Sequence, residues 1–342
     1  MKIALILPSN LKCAPNSIAG ILYHNLKYKF HLNVYVINQH HEANLEFPPF
    51  ECSKLSFKSL FAVLECDLVH TMGFKPDAFG FLLRLLNFKG LLVTTLHSEI
   101  KYDLIDIFGK TIGVLFYRLW LNFLRVYDCR IHINNISQST FLNYSFRGVD
   151  VCIPNTIIPI QNLAPKINTI DTGCLFVGSI RPLKGIETII AAIDINKAFK
   201  IDVYGGFINK KYKLKITSYI NKTSTTNFIR FMGYSDNMHE VYGRYNILVV
   251  SSISEGFGLV ILEAILAGLY VICNDIPSLR SLYDRNPVIF YKYNDPHDLQ
   301  LKIQETLNLN RPNTSEIEYY QKKFSVTNFV LSHLRIYNIK NN

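Results

Sequence analysis

Ser251-Ser-Ile-Ser-Glu255-Gly-Phe-Gly258-Leu-Val-Ile-Leu-Glu263-Ala-Ile-Leu-Ala-Gly268-Leu-Tyr270-Val-Ile-Cys-Asn-Asp275 is the stretch whose reading decides the fold. The apolar run Ile247 to Val250 leads into it and stops at small polar residues. A Gly-Phe-Gly turn follows, then a helix-patterned segment ending at Gly268, then a second apolar run from Tyr270. Strand, loop, helix, strand is the unit that builds a parallel sheet. Gly256 and Gly258 let backbone N–H groups approach a ligand closely. A helix N-terminus behind such a loop favours anions.

Glu255 and Glu263 bracket the loop and the first helical turns. Were every residue between them helical, they would stand about 12 Å apart, roughly the length of a nucleotide sugar from ribose to hexose. Carboxylates suit sugars because each oxygen accepts a hydroxyl proton. Taken singly, Glu255 reads as a helix cap and Glu263 as a solvated helix residue. Together, with the glycine loop between them, they read as two grips on one hydroxyl-rich ligand.

The pattern Glu255-Gly-Phe-Gly-Leu-(three residues)-Glu263-Ala resembles the Glu-x7-Glu signature of the retaining glycosyltransferases of family 4, which have the GT-B fold. The resemblance implies an α/β chain of two Rossmann-like domains with parallel sheets facing a cleft. Residues 1–163 would form an acceptor-binding domain. Residues 164–342 would form a nucleotide-sugar-binding domain whose last helix packs back on the first.

Composition agrees with that size. A chain of 342 residues, 49% apolar, is long enough for two packed domains and too apolar for disorder. The run Ile3 to Leu7 is too short for a signal-peptide core and reads as a first strand. No eighteen-residue apolar run is present; the nearest, Ala78 to Leu96, contains Arg84, Lys89 and Gly90. The seven cysteines form no Cys-x-x-Cys pair and read as reduced thiols of a cytoplasmic protein. The ten histidines show no His-x3-His spacing, so no metal is expected. The net charge of +10 asks for an anionic partner. A nucleotide diphosphate and an anionic membrane are the candidates, because nucleic-acid motifs are lacking. The cluster Lys210-Lys211-Tyr212-Lys213-Leu214-Lys215 reads as a solvated helix face.

Along the chain, Ile3–Leu7 and Leu32–Ile37 read as strands around a helix over Ala19–Tyr28, with Asn16-Ser17 in the first loop. The family usually has a Gly-Gly pair there; an Asn still permits positive φ. Asp67-Leu-Val-His70 resembles a family strand end, with His70 read as structural. Leu91-Leu-Val-Thr-Thr-Leu-His97 is a buried strand similar to the family's Val-x-Thr-x-His segment, which implies that His97 reaches the donor sugar and diphosphate. Residues Ile107 to Tyr127 read as one apolar helix with Lys110, Arg118 and Arg125 interspersed. Such a helix either lies on a membrane surface or packs in the first domain with its cations outward. Val151-Cys-Ile-Pro154-Asn155 resembles the motif that closes the first domain, and 158–167 reads as the linker.

The second half opens with Gly173-Cys-Leu-Phe-Val-Gly178-Ser-Ile-Arg181-Pro-Leu-Lys184-Gly185. Arg181 and Lys184 sit beside the start of a helix, where two fixed cations neutralise the phosphates of a leaving nucleotide. The family form is close to Val-Gly-Arg-x-x-x-x-Lys-Gly; Lys184-Gly185 matches, and Arg181 lies two positions beyond the usual arginine. Ile201-Asp-Val-Tyr-Gly205-Gly206 and Ile229-Arg-Phe-Met-Gly233 resemble further strand ends, the latter supplying backbone contacts to the base.

The resemblance thus implies a metal-independent enzyme moving a sugar from a nucleotide donor to a glycan or lipid-linked glycan, in bacterial surface polysaccharide synthesis. It would sit in the cytoplasm or at the inner membrane face. Its catalytic set would be His97, Arg181, Lys184 and Glu255. Its donor-binding set would be Asn16, Ser17, Gly205, Gly233, Gly256, Phe257, Gly258, Leu259 and Glu263. No cofactor is implied beyond the nucleotide-sugar substrate. A nucleotide-sugar epimerase of the same fold and a non-catalytic nucleotide-sugar-binding protein are the alternatives. Incubation with donor alone, and turnover across an acceptor panel, separate the three.

Overall fold

The computed structural model describes residues 1–11, 13–39, 52–97, 99–144, 146–158 and 173–338. Two compact units result, Met1–Ile158 with Phe324–Asn342 and Pro159–Lys323. The 163/164 boundary read from the sequence lies outside the described residues.

The first unit runs β1 (Lys2–Ser9), α1 (Ala14–Leu26), β2 (His31–Asn38), β3 (Ser53–Lys54), α2 (Phe57–Leu64), β4 (Leu68–Met72) and α3 (Phe74–Leu85). It continues with β5 (Leu91–Leu96), α4 (Ile100–Phe108), α5 (Lys110–Leu124), β6 (Cys129–His132), α6 (Asn135–Leu142) and β7 (Val149–Cys152). Its strands form a parallel sheet in the order β3-β2-β1-β4-β5-β6-β7. Ile3 through Leu7 are fully buried, as are all of β4 and β5. Continuous apolar strands are what a parallel sheet covered on both faces requires.

The second unit runs β8 (Gly173–Val177), α7 (Ile186–Asn196), β9 (Lys200–Tyr204), α8 (Lys210–Lys222), β10 (Ile229–Gly233), α9 (Met238–Gly243) and β11 (Ile247–Val250). Then come α10 (Leu259–Leu266), β12 (Tyr270–Asn274), α11 (Pro277–Leu282), β13 (Val288–Tyr291), α12 (Pro296–Leu307) and α13 (Thr314–Lys323). The parallel order is β10-β9-β8-β11-β12-β13. The chain therefore winds outward from β8 in one direction and from β11 in the other. The pair β8/β11 is the switch point where ligands of open α/β sheets bind.

The last helix, α14 (Val326–Tyr337), belongs to the first unit. It packs on α1, and the Tyr337 hydroxyl lies 2.7 Å from His70 Nδ1. His70 Nε2 is 2.7 Å from Thr95 Oγ1, so both nitrogens of this buried ring are spoken for and the residue is structural.

Two local expectations are corrected. Helix α1 begins at Ala14, not Ala19, so Asn16 and Ser17 stand in its first turn and not in the loop. Pro15 near the helix start has its φ preset and loses no intrahelical bond, which moves the start forward. Asn16 does not take positive φ; its buried side chain donates to the carbonyls of Ser9 and Leu11 at 2.8 and 2.5 Å. The single helix read over Ile107 to Tyr127 is instead an α4–α5 hairpin broken at Gly109, whose φ of +79° ends one helix and opens the next.

A buried carboxylate fastens this side of the first unit. Asp77 on α3 accepts from Thr71 Oγ1 of β4, Thr94 Oγ1 of β5 and Trp120 Nε1 of α5, each at 2.7 Å. Burial pushes its carboxyl up to about 6.

Candidate functional site

Every second-unit residue singled out from the sequence falls at or beside the C-terminal edge of that unit's sheet. Arg181 and Lys184 follow β8, Gly205 follows β9, Gly233 ends β10, and the Glu255–Glu263 segment follows β11. The switch point brings the β8 and β11 connections together, and there Lys184 Nζ donates to Glu255 Oε2 at 2.5 Å. The two groups are 71 residues apart in the chain.

The loops beneath the pair are sewn backbone to backbone. Ser251 Oγ donates to the Lys184 carbonyl at 2.7 Å, and the Ile253 N–H donates to the Leu183 carbonyl at 2.9 Å. Gly185 has a φ of +62°, and a Cβ there would stand 2.1 Å from the Ser251 carbonyl oxygen. Only glycine permits so close an approach in that conformation.

Glu255 is oriented by its own loop. Ser252 Oγ donates to Oε2 at 3.0 Å, so the serine hydroxyl and the Lys184 ammonium converge on one carboxylate oxygen. Ser278 Oγ holds the Glu255 carbonyl at 2.6 Å, and buried Asn274 Nδ2 holds the Ser252 carbonyl at 3.0 Å. Asn274 in turn accepts from the Asn294 N–H at 3.0 Å. A carboxylate with one oxygen engaged and its backbone clamped is preorganised to receive a hydroxyl on the other.

Glu263 lies on α10, in the turn after Leu259, which opens the helix. The hydroxyl of buried Tyr242 donates to its Oε2 at 2.7 Å. Burial and the adjacent carboxylate hold the Tyr242 phenol well above its ordinary range, so it remains a donor. Gly258, with φ +71°, caps α10. The Phe257 ring is buried and packs on Tyr283 at 5.9 Å. It anchors the loop from within, which leaves only its backbone to meet a ligand. Gly256 is buried beside it.

In the first unit His97 stands at the end of β5. Both ring nitrogens are buried without a hydrogen-bond partner among the described residues. Burial, and secondarily His333, push its pKa down to about 3, so the ring is neutral. Asn16 and Ser17 follow β1 at that sheet's corresponding edge.

The sequence reading missed Ser252, Tyr242, Asn274 and Ser278 as positioning groups. Each works through a hydrogen bond to a glutamate or to its loop; only Ser252, three residues before Glu255, had a local signal.

Residues 164–324 match the family of glycosyl transferases group 1. The O-antigen biosynthesis glycosyltransferase WclY of Escherichia coli is 25% identical over 305 residues, 85% of this chain and 84% of that one. Among solved structures, HepE of Anabaena in complex with UDP and glucose superimposes with a TM-score of 0.82 at 16% identity, over 99% of this chain and 100% of that chain. Another HepE structure is in complex with UDP-glucose. A sucrose-phosphate synthase from Thermosynechococcus elongatus gives 0.79 at 16% identity, over 99% and 98% of the two chains. Identities this low speak to fold alone, and the fold is the GT-B arrangement of two parallel-sheet, Rossmann-like α/β units.

Proposed function

We propose that this chain, whose second unit carries a glycosyl transferases group 1 domain, moves a sugar from a nucleotide-sugar donor to a hydroxyl of a glycan or lipid-linked glycan. In this reading it retains the anomeric configuration, needs no metal ion, and serves surface polysaccharide assembly at the inner face of the membrane. The name of the Escherichia coli relative supports the pathway, and the ligands of HepE make UDP-sugars the first donors to test.

The observation that carries the reading is the Lys184–Glu255 pair at the sheet's switch point. Before donor binds, Lys184 is neutralised by Glu255. A diphosphate takes Lys184 from the carboxylate, and Arg181 adds a second positive group. Glu255, released, turns to the hydroxyls of the donor sugar, and Glu263 takes the ribose. His97 is assigned a contact to the donor sugar, and Gly205, Gly233, Gly256, Gly258 and Leu259 offer backbone to base and phosphates. The acceptor oxygen attacks from the face that the diphosphate leaves. The bond from the anomeric carbon to phosphate oxygen breaks with its electrons going to the nucleoside diphosphate. That phosphate oxygen takes the acceptor's proton as the new bond forms. Fixed cations lower this barrier because charge develops on the leaving group.

A panel of nucleotide sugars in thermal-shift measurements identifies the donor, since a ligand bound to the folded state raises apparent stability. No stabilisation by any member refutes the reading.

A further inference from the structure

The α4–α5 hairpin turns apolar side chains outward. All four residues of its tip, Ile107-Phe108-Gly109-Lys110, are exposed. Along α5, Ile112, Leu115 and Leu119 fall at helical spacing on one face and are 51%, 65% and 43% exposed. The ring of Phe116 packs on Phe108 at 4.9 Å and on Phe74 of α3 at 6.1 Å. The outer apolar surface is thus continuous with an aromatic seam between α5 and α3. At Gly113 the two helices touch backbone to backbone, and a Cβ there would lie 2.6 Å from the Ile105 Cα.

The charge along the α5 arm of this face has one sign. Lys110, Arg118 and Arg125 are exposed, and no acidic residue lies between Lys110 and Arg125. On α3, Lys75 is exposed while the helix's one acid, Asp77, is buried. The carboxylates of the other arm, Glu99 at the α4 N-cap and Asp103 and Asp106 on α4, are all half-buried, and exposed Lys101 accompanies them. Protein–protein interfaces are depleted of lysine. A convex helix face with bulky aliphatics at its centre and cations at its rim has the composition of an interfacial membrane helix. Anionic headgroups complement such a rim, each nearby basic residue adding attraction.

We propose that the outer face of the α4–α5 hairpin docks on an anionic lipid bilayer. Ile107, Phe108, Ile112 and Leu115 enter the headgroup–acyl boundary while Lys110 and Arg118 lie against lipid phosphates. The assignment rests on the reading above for its purpose, delivery of the enzyme to an acceptor held in a membrane. Its physical basis is this surface alone.

The test is flotation of the full chain with vesicles of phosphatidylcholine, with and without roughly one third phosphatidylglycerol. The protein floats with the anionic vesicles and weakly with the neutral ones. Lys110→Glu/Arg118→Glu lowers partitioning at least about thirtyfold, and Ile112→Ser/Leu115→Ser lowers it about tenfold. Both variants keep the wild-type circular dichroism spectrum and unfolding temperature. Failure of the wild type to float with anionic vesicles overturns the proposal. So does equal flotation of the variants. A concentration-dependent dimer that Leu115→Ser dissolves, without vesicle capture, also overturns it and makes a second copy the occupant. A protein that floats yet transfers no sugar leaves the docking face standing and refutes the catalytic reading. Transfer to a water-soluble acceptor without flotation does the reverse.

Discussion

Lys184 and Glu255 are paired with one another, and in the proposed mechanism the donor competes for both, a competition that is measurable. Lys184→Ala leaves the diphosphate charge uncompensated and should lower transfer by about 10²- to 10³-fold, the usual effect of removing one such group. Near-normal product formation on a chromatographic transfer assay would remove the electrostatic account. Glu255→Gln keeps the shape but frees the lysine. Because the pair is largely shielded from water, its loss should tighten binding of UDP without sugar by about three- to tenfold while turnover falls. Calorimetry giving weaker or unchanged UDP affinity would show that the pair does not hold Lys184 back. Tyr242 acts one step away. Tyr242→Phe removes the donor to Glu263 Oε2 and should raise the donor KM several-fold with kcat nearly intact, at a stability cost of about 1 kcal/mol. A fall in kcat at unchanged KM would contradict the ribose assignment of Glu263.

At the scale of elements, the Lys184–Glu255 pair forms because two connections are pressed together. The β8–α7 connection bends at Gly185 so that Lys184 meets the loop after β11, and the Ser251 carbonyl fills the space a side chain would need. Gly185→Ala should therefore cost about 1–3 kcal/mol from overpacking and strain, and should displace Lys184. Urea denaturation measures the first effect and transfer the second. Wild-type stability would mean that the two loops part freely. Elsewhere Asp77 plays the fastening role in polar form, joining α3, β4, β5 and α5 through three hydrogen bonds.

At the scale of the whole molecule, the first unit closes over three neutral histidines. Burial is the first cause in each case: it holds His70 well below its ordinary range, His97 at about 3 and His333 at about 4. The His70 ring is stacked on His333 at 5.9 Å, with Tyr337 and Thr95 bonded to His70 and the Phe329 carbonyl bonded to His333. The unfolded chain takes up protons at these positions below about pH 6.5, whereas the folded chain does not until far lower pH. Stability from this source is complete above about pH 6.5 and is lost as pH falls towards 4. Asp77 opposes: its raised pKa of about 6 gives stability that is complete at low pH and lost as pH rises through that value. Three groups against one give a net loss on acidification. The urea midpoint should fall between pH 7 and pH 5, and His333→Phe should flatten the slope by up to about 1.4 kcal/mol per pH unit. An unchanged midpoint over that range would show that the rings are hydrated in the folded state.

Much of this was written along the chain. Strands such as Ile3–Leu7 and Ile247–Val250, and the loop and helix that carry Glu255 and Glu263, are local matters of apolar runs, glycine turns and helical spacing. Those features fixed the parallel α/β class and picked out Arg181, Lys184 and the two glutamates. Boundaries were less legible where one residue shifts a balance. Pro15 starts α1 early and Gly109 splits a continuous apolar stretch into a hairpin. What folding alone decided was pairing across long separations: Lys184 with Glu255, Tyr242 with Glu263, Asn274 with the Ser252 carbonyl, and His70 with Tyr337. Such contacts depend on strand order, and strand order is set by how covering helices bury both faces of a sheet, a property of the packed whole that no short window of residues contains.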